Sequence, residues 1–136
     1  ERVSIFHEMG IDLVTLANNH ALDYGTEALL DTCSTLEGAG IPYVGAGETL
    51  DRAKAMYTAE IKGRTIGFLG ATRVIPTADW AASASRPGML STYDPGILLE
   101  EIRKGRENCD YLVVYIHWGI ERNDMPSPRS SGNRIL

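Results

Sequence analysis

The fold can be deduced from residues 12–20, which read Asp-Leu-Val-Thr-Leu-Ala-Asn-Asn-His. The apolar part of this run is suited to a buried strand, which we place at residues 11–17. The run then changes abruptly to polar side chains, and a helical pattern begins just behind them at Gly25. Open α/β sheets carry their chemistry beyond the carboxyl ends of their strands. The polar end of this run is therefore the first candidate for a functional site.

A second stretch of the same form lies near the other end of the chain. Residues 111–116 read Tyr-Leu-Val-Val-Tyr-Ile, and the polar or small residues that come next are His117, Trp118, Gly119 and Glu121. The apolar run does not alternate, which is typical of a strand covered on both faces. Gly119 allows a sharp turn or a close approach to a ligand. We expect Asn19 and His117 to lie at the same end of neighbouring strands and to face one cleft.

The remaining elements follow from periodicity and turn signals. Helices are predicted at residues 1–9, 26–39, 49–55 and 95–106, and strands at residues 11–17, 41–44, 57–61, 65–69 and 110–116. Thr26 or Gly25 is expected to cap the second helix, and residues 70–93 are expected to be irregular. The inner faces of two helices are marked by Leu29, Cys33 and Leu36 and by Ile97, Leu98 and Ile102. This order predicts a layered, mixed α/β fold in one domain, residues 1–136.

Composition and charge limit the classes of function. The 136 residues are 43% hydrophobic and 23% charged, as in an ordinary globular domain, and the formal net charge is −5. That charge argues against a general nucleic-acid-binding protein. Cys33 and Cys109 lie too far apart for a zinc motif or a disulfide framework, so we expect buried free thiols. No apolar run is long enough to span a membrane, and no P-loop or nucleophile elbow occurs.

The polar clusters allow two interpretations on residue types alone. Amide oxygens and imidazole nitrogens are metal ligands, but two amides after a strand can also simply cap a turn. Asp23 can orient the His20 ring or cap the following helix. His117 is either a packed core residue or a site residue. His7 lies in the first helical pattern and is expected at the surface or in packing.

Residues 10–25 as a whole, Gly-Ile-Asp-Leu-Val-Thr-Leu-Ala-Asn-Asn-His-Ala-Leu-Asp-Tyr-Gly, resemble the bacterial capsule-synthesis CapA family, also called poly-γ-glutamate biosynthesis proteins. The match continues at residues 29–32, 39–41, 44–47, 117–121 and 126–129. The resemblance implies the α-β-β-α sandwich of the calcineurin-like metallophosphoesterases. That superfamily takes further metal ligands from segments before and after this stretch. We therefore expect the chain to be a central fragment, incomplete at both ends.

The resemblance also implies roles for individual residues. In the superfamily, the Asn of an Asn-His pair binds metal, the His contacts substrate, and a later histidine after a strand is a further ligand. The predicted roles are metal ligands for Asn19 and His117, catalytic residues for His20, Asp23 and Glu121, and substrate binding for Asn18 and Trp118. The implied cofactor is a pair of divalent ions, with Mn, Fe, Zn and Mg all open.

Two functions remain in competition. The first is a metal-dependent hydrolase in capsule or poly-γ-glutamate synthesis, and the second is a non-catalytic accessory protein that binds the polymer or its membrane-bound synthase. The expected partner is an anionic polymer rather than nucleic acid, with Arg103, Lys104 and Arg106 as either a binding cluster or a solvated helix face. If the chain follows the family, it works in the cell envelope or at the extracellular face, the fragment itself being soluble. An exposed apolar sheet face or edge is expected, with self-association as a consequence.

Overall fold

The computed structural model describes residues 2–120. The helices are α1 (Ser4–Glu8), α2 (Gly25–Gly38), α3 (Leu50–Ala53) and α4 (Gly96–Asn108), with a short 3₁₀ turn at Ala78–Trp80. The strands are β1 (Val14–Thr15), β2 (Tyr43–Val44), β3 (Ala46–Gly47), β4 (Tyr57–Ile61), β5 (Arg64–Thr72), β6 (Gly88–Met89) and β7 (Tyr111–His117).

The strands combine parallel and antiparallel pairing, as the mixed order of elements predicts. β1 runs parallel to β2, and β3 runs antiparallel to β6. In the largest sheet β5 lies between β4, which is antiparallel to it, and β7, which is parallel. Lys62 and Gly63 close the β4–β5 hairpin with φ angles of 51° and 76°, the positive values that a two-residue turn requires.

The helices cover the outer faces of the sheets, with one apolar cluster under each. Leu29, Cys33 and Leu36 of α2 are buried against Ile41, Tyr43 and Met89 around β1, β2 and β3. Leu98 of α4, with the half-buried Ile97 and Ile102, packs against Leu69 and Ala71 of β5 and against the inner side of β7. Both predicted helix faces are therefore confirmed, and each follows from apolar residues at helical spacing.

The two layers of strands are the β1–β2 pair and the β4–β5–β7 sheet. They are in contact at glycine residues, which carry no side chain. A Cβ atom on Gly70 of β5 would lie 2.9 Å from Thr15 Oγ1 and 3.0 Å from Val44 Cγ2. A Cβ atom on Gly45, just after β2, would lie 2.6 Å from the Cβ of Ala17 and 3.1 Å from the carbonyl carbon of Gly70. Real Cβ atoms do not approach other atoms so closely, so these two positions require glycine for the observed packing.

The segment after β6 ties the layers together through backbone hydrogen bonds. The N–H of Leu90 donates to the carbonyl of Gly45 at 3.0 Å. The N–H of Thr72 donates to the carbonyl of Leu90 at 2.9 Å, and the N–H of Thr92 returns to the carbonyl of Thr72 at 2.9 Å. Residues 70–93 are thus not irregular throughout, because their first three residues extend β5 and residues 88–92 bond to both layers.

Three sequence predictions are corrected. The first strand is assigned only at Val14–Thr15 rather than 11–17, because the N–H of Asn18 turns back to the carbonyl of Leu16 at 3.1 Å. The residue that begins α2 as its N-cap is Tyr24, not Thr26 or Gly25, and no side chain caps that helix end. Two of the helices are also shorter than predicted, since α1 and α3 contain 5 and 4 residues.

β7 is covered on one face only within the described residues. Its alternate residues Tyr111, Val113 and Tyr115 are 61%, 46% and 50% exposed. The prediction that both faces are covered is wrong for this part of the chain, and the expected exposed apolar sheet face is present. Cys33 is buried, whereas Cys109 is only half-buried, and both are free thiols. Among residues 2–120, no helix has the length and apolar character needed to cross a bilayer.

Gly70→Ala tests the close contact between the layers. The added Cβ would meet Thr15, Val44 and the backbone of Gly45, so we expect a loss of about 1–3 kcal/mol in the free energy of unfolding. Gly38→Ala is the matched control, because nothing lies within 4 Å of its added Cβ. The measurement is urea unfolding followed by circular dichroism. Equal stability of the two variants would show that the layers do not meet as described.

Candidate functional site

Asn19 and His117 are in direct side-chain contact. The Nε2 atom of His117 lies 3.1 Å from the Oδ1 atom of Asn19, and both residues are partly buried. An amide oxygen only accepts hydrogen bonds, so Nε2 carries a hydrogen and donates it. The prediction that the two side chains come together at the ends of two strands is confirmed by this contact. The prediction of neighbouring strands is wrong, because β1 pairs with β2 and β7 pairs with β5.

His117 is held by the end of β5. Thr72 pairs with His117 in the parallel register, and the N–H of Arg73 donates to the carbonyl of His117 at 2.8 Å. Thr72 is fully buried, and its hydroxyl donates to the carbonyl of Val74 at 2.8 Å. Thr72 and Arg73 were not predicted, because the small residues before them look like a loop. The strand predicted at residues 65–69 carries no pattern that continues beyond Leu69.

The turn after β1 positions Asn19. Thr15 Oγ1 accepts from the N–H of Ala17 at 3.3 Å, and Ala17 is fully buried. The Asn18 Oδ1 atom accepts from the N–H of His20 at 2.8 Å. Asn18 therefore acts as the turn-capping amide that one interpretation of the sequence allows. Because Oδ1 is used in this turn, substrate binding by Asn18 would use its amide nitrogen, and this role stays a prediction.

His20 and Asp23 form a second polar pair. His20 Nδ1 lies 2.8 Å from Asp23 Oδ2, and the two side chains are 70% and 45% exposed. A carboxylate accepts, so Nδ1 carries the hydrogen and Nε2 is left for another partner. Of the two roles considered for Asp23, orienting the ring agrees with this contact, whereas capping α2 does not. Within residues 2–120 no side-chain hydrogen bond joins this pair to Asn19 or His117.

Trp118 and Gly119 directly follow the end of β7. Trp118 is 48% exposed, and Gly119 has a φ of +129°, a value that favours glycine and turns the chain sharply. Glu121 lies outside the described residues, so its predicted catalytic role stays a prediction. His7 is exposed on α1, at the surface as expected.

The Asn19–His117 pair fits one edge of a metal coordination sphere. Two ligand atoms that each lie about 2.0–2.2 Å from one ion, at ordinary bond angles, are about 3–3.5 Å apart. The observed separation of 3.1 Å falls in that range, and a metal ion would take the place of the hydrogen on Nε2. Residues 2–120 contain no cluster of three or more His, Cys, Asp or Glu side chains that could hold an ion. The pair alone supplies two donors of the several that a metal needs.

The fold is that of a known class. A crystal structure of a Staphylococcus aureus protein, described as a 5′-nucleotidase in complex with alpha-ketoglutarate, matches this chain with a TM-score of 0.60 and 23% sequence identity. The match covers 93% of this chain and 25% of that protein. The two proteins therefore share the layered α/β architecture that the sequence resemblance implies.

The sequence identifies the family more narrowly. The family model described as "Bacterial capsule synthesis protein PGA_cap" matches residues 1–132, and the chain belongs to this family. The capsule biosynthesis protein CapA of Bacillus anthracis is 37% identical over 133 residues, which are 95% of this chain and 32% of that protein. The PGA biosynthesis protein CapA of Bacillus subtilis is 35% identical over 130 residues, which are 95% of this chain and 34% of that protein.

A third relative carries a different description. A Mycobacterium tuberculosis protein described as a polyglutamine synthesis accessory protein is 36% identical over 113 residues, which are 76% of this chain and 30% of that protein. The chain thus spans about a third of the length of these curated relatives. The comparisons do not test the individual site residues, whose chemical roles stay predictions.

A double-mutant cycle tests the contact between Asn19 and His117. We expect Asn19→Ala and His117→Ala to be non-additive by about 0.5–1.5 kcal/mol in the free energy of unfolding, because each removes the same hydrogen bond. Asn19→Ala combined with His7→Ala is the control and should be additive, since His7 lies exposed on α1. A coupling no larger than that of the control would mean that the two side chains do not interact in solution.

Proposed function

We propose that this chain supplies part of a metal-dependent, hydrolase-like site used in the synthesis or processing of capsular poly-γ-glutamate or a related anionic polymer. The observation that carries the proposal is the 3.1 Å separation of Asn19 Oδ1 and His117 Nε2. These two donors come from the ends of strands in different layers, and such a junction is a common place for a ligand site. Membership of the capsule-synthesis family supports the choice of polymer.

In this proposal Asn19 and His117 hold a divalent ion, and its remaining ligands come from outside residues 2–120. A site with both a nitrogen and an oxygen donor suits Mn, Fe or Zn. Mg prefers oxygen donors alone and is the least favoured of the four ions. A bound ion would supply an activated water or a polarised carbonyl or phosphoryl oxygen. The chain fixes the donor geometry through the hydrogen bonds that Thr15, Thr72 and Arg73 make around the two strand ends.

His20 is the group proposed to contact the substrate. Asp23 fixes its ring through Nδ1, so Nε2 is free to face a substrate oxygen, and in the protonated ring it donates a hydrogen bond. Trp118 offers a half-exposed indole beside the end of β7, where it can pack on the apolar part of a substrate. Glu121 is proposed as a further acid–base group from the family pattern alone.

The accessory-protein function remains the second candidate, and one observation favours it. The Mycobacterium tuberculosis relative is described as an accessory protein of polymer synthesis. In this function the same fold binds the polymer or its synthase, at the cell envelope, without cleaving a bond. The basic cluster on α4 gives it little support, because the Lys104 ammonium is 2.8 Å from Glu100 and 3.2 Å from Glu101. Those carboxylates also lower the cluster's attraction for a polyanion.

The two histidines separate the functions experimentally. His117→Ala should weaken divalent-metal binding by more than the roughly 10–100-fold that loss of an outer-shell partner causes, because it removes a ligand. His20→Ala should retain the metal and lower turnover by about 10²–10⁴-fold, because the ring acts on the reacting group. Metal content and hydrolysis of a generic phosphodiester and a γ-glutamyl oligomer are measured for both variants, with His7→Ala as the control.

One combination of results would decide for the accessory protein. The wild type would carry no metal and cleave neither substrate. It would still bind the polymer, and the double variant lacking His20 and His117 would bind it equally well.

A further inference from the structure

An open, shallow surface cavity of about 330 Å³ lies at the opposite end of the β1–β2 pair from the candidate site. It is lined by Glu37, Gly40, Ile41, Pro42, Tyr43, Arg52 and Tyr57. Tyr43 is the first residue of β2, whereas Asn19 follows the carboxyl end of β1, which runs parallel to β2. The cavity therefore shares no residue with the Asn19–His117 pair and lies at the amino ends of these strands.

Arg52 is held in a fixed position on one wall of this cavity. Its guanidinium carbon lies 3.9 Å from the centre of the Tyr43 ring, and its Nη2 donates to the carbonyl of Tyr43 at 3.3 Å. The stem of Arg52 packs directly on Gly47, where a Cβ atom would collide with it. A stacked guanidinium keeps most of its five N–H donors available.

Glu37 is fixed on another wall by the same tyrosine. The Tyr43 hydroxyl donates to Glu37 Oε1 at 2.7 Å, and Tyr43 is buried. Burial and this hydrogen bond raise the pKa of Tyr43 above its usual range, so the hydroxyl stays a donor at neutral pH. The second carboxylate oxygen of Glu37 is left for another partner.

The two opposite charges do not pair with each other. Within the described part of the chain, neither Glu37 nor Arg52 has an ion-pair partner within 4.0 Å. Because both charged groups lie against Tyr43, a lone anion bound at Arg52 would also lie near Glu37, and a lone cation bound at Glu37 would also lie near Arg52. A ligand that carries one positive and one negative charge would pair with both Glu37 and Arg52.

We propose that this cavity binds the zwitterionic head of an α-amino acid, with its carboxylate on Arg52 and its ammonium on Glu37. Tyr57 and Pro42 provide apolar surface for the rest of the ligand. This chemistry has two sources, a free amino acid and the free amino terminus of a γ-linked glutamyl chain, because both carry an α-ammonium and an α-carboxylate on one carbon. The site does not depend on metal binding at Asn19 and His117.

Calorimetric titration with small probes tests the proposal. L- and D-glutamate are compared with glutarate, which has the same carbon chain and no ammonium group. Glutamate should bind at least about tenfold more tightly than glutarate, because glutarate leaves Glu37 unpaired beside a second negative charge. Arg52→Gln and Glu37→Gln should each weaken glutamate binding about tenfold or more. Arg64→Gln and Glu27→Gln are the matched controls, since both residues are exposed and neither lines the cavity.

Glu37→Gln is expected to fold like the wild type, so a change in its binding reports on the lost charge and not on folding. Its amide oxygen still accepts from the Tyr43 hydroxyl, so the variant should melt at the wild-type temperature. The ratio of glutamate affinity to glutarate affinity should also be smaller in this variant than in the wild type. A γ-glutamyl trimer with a free amino terminus, compared with its N-acetylated form, shows whether the polymer end or the free amino acid binds more tightly. Glutarate binding as tightly as glutamate, no binding of any probe, or an unchanged preference in Glu37→Gln would overturn the proposal.

Discussion

Neither Gly45 nor Gly70 carries a side chain, and this allows the backbones around β2 and β5 to come into van der Waals contact. Any larger residue at either position would hold the two layers of strands apart. Their contact fixes the distance between the turn after β1 and the end of β7. The hydrogen bond between Asn19 and His117 therefore depends on two residues that contribute no side-chain chemistry of their own.

This arrangement divides the candidate site between two apolar clusters. The cluster under α2 supports the Asn19 turn, and the cluster under α4 supports β7 and His117. The backbone bonds made by Leu90 and Thr92 connect the two supports. A ligand that bridges Asn19 and His117 would contact both layers at once, so its binding energy would add directly to the stability of their contact.

The sequence predicted what depends on local patterns. The helical spacing of Leu29, Cys33 and Leu36 identified one buried face, and the patterns at residues 57–61 and 65–69 identified the two strands of the hairpin. The contact between Asn19 and His117 could be predicted, because polar residues follow two apolar runs and the family resemblance places both residues in one site. The extension of β5 to Thr72 could not be predicted, since its small residues become a strand only through pairing with β7 and Leu90. Burial of one face of β7 has only a weak local signal, because the exposed set, Tyr111, Val113 and Tyr115, differs from the buried set mainly in its two phenol hydroxyls. The cluster of Glu37, Tyr43 and Arg52 depends on tertiary packing in the same way.

The parallel pairing of β5 with β7 has a consequence for how the chain acquires its structure. Thr72 and His117 are 45 residues apart in sequence, and Asn19 and His117 are 98 apart. Pairings of such long separation form slowly, because a long loop must close before any contact repays its entropy. On the ribosome the β4–β5 hairpin emerges with one edge unpaired and waits until residues 111–117 have been synthesised. During that interval the edge that β7 will later occupy is open to pairing with other chains, and of the two residues of the candidate pair the histidine is synthesised last.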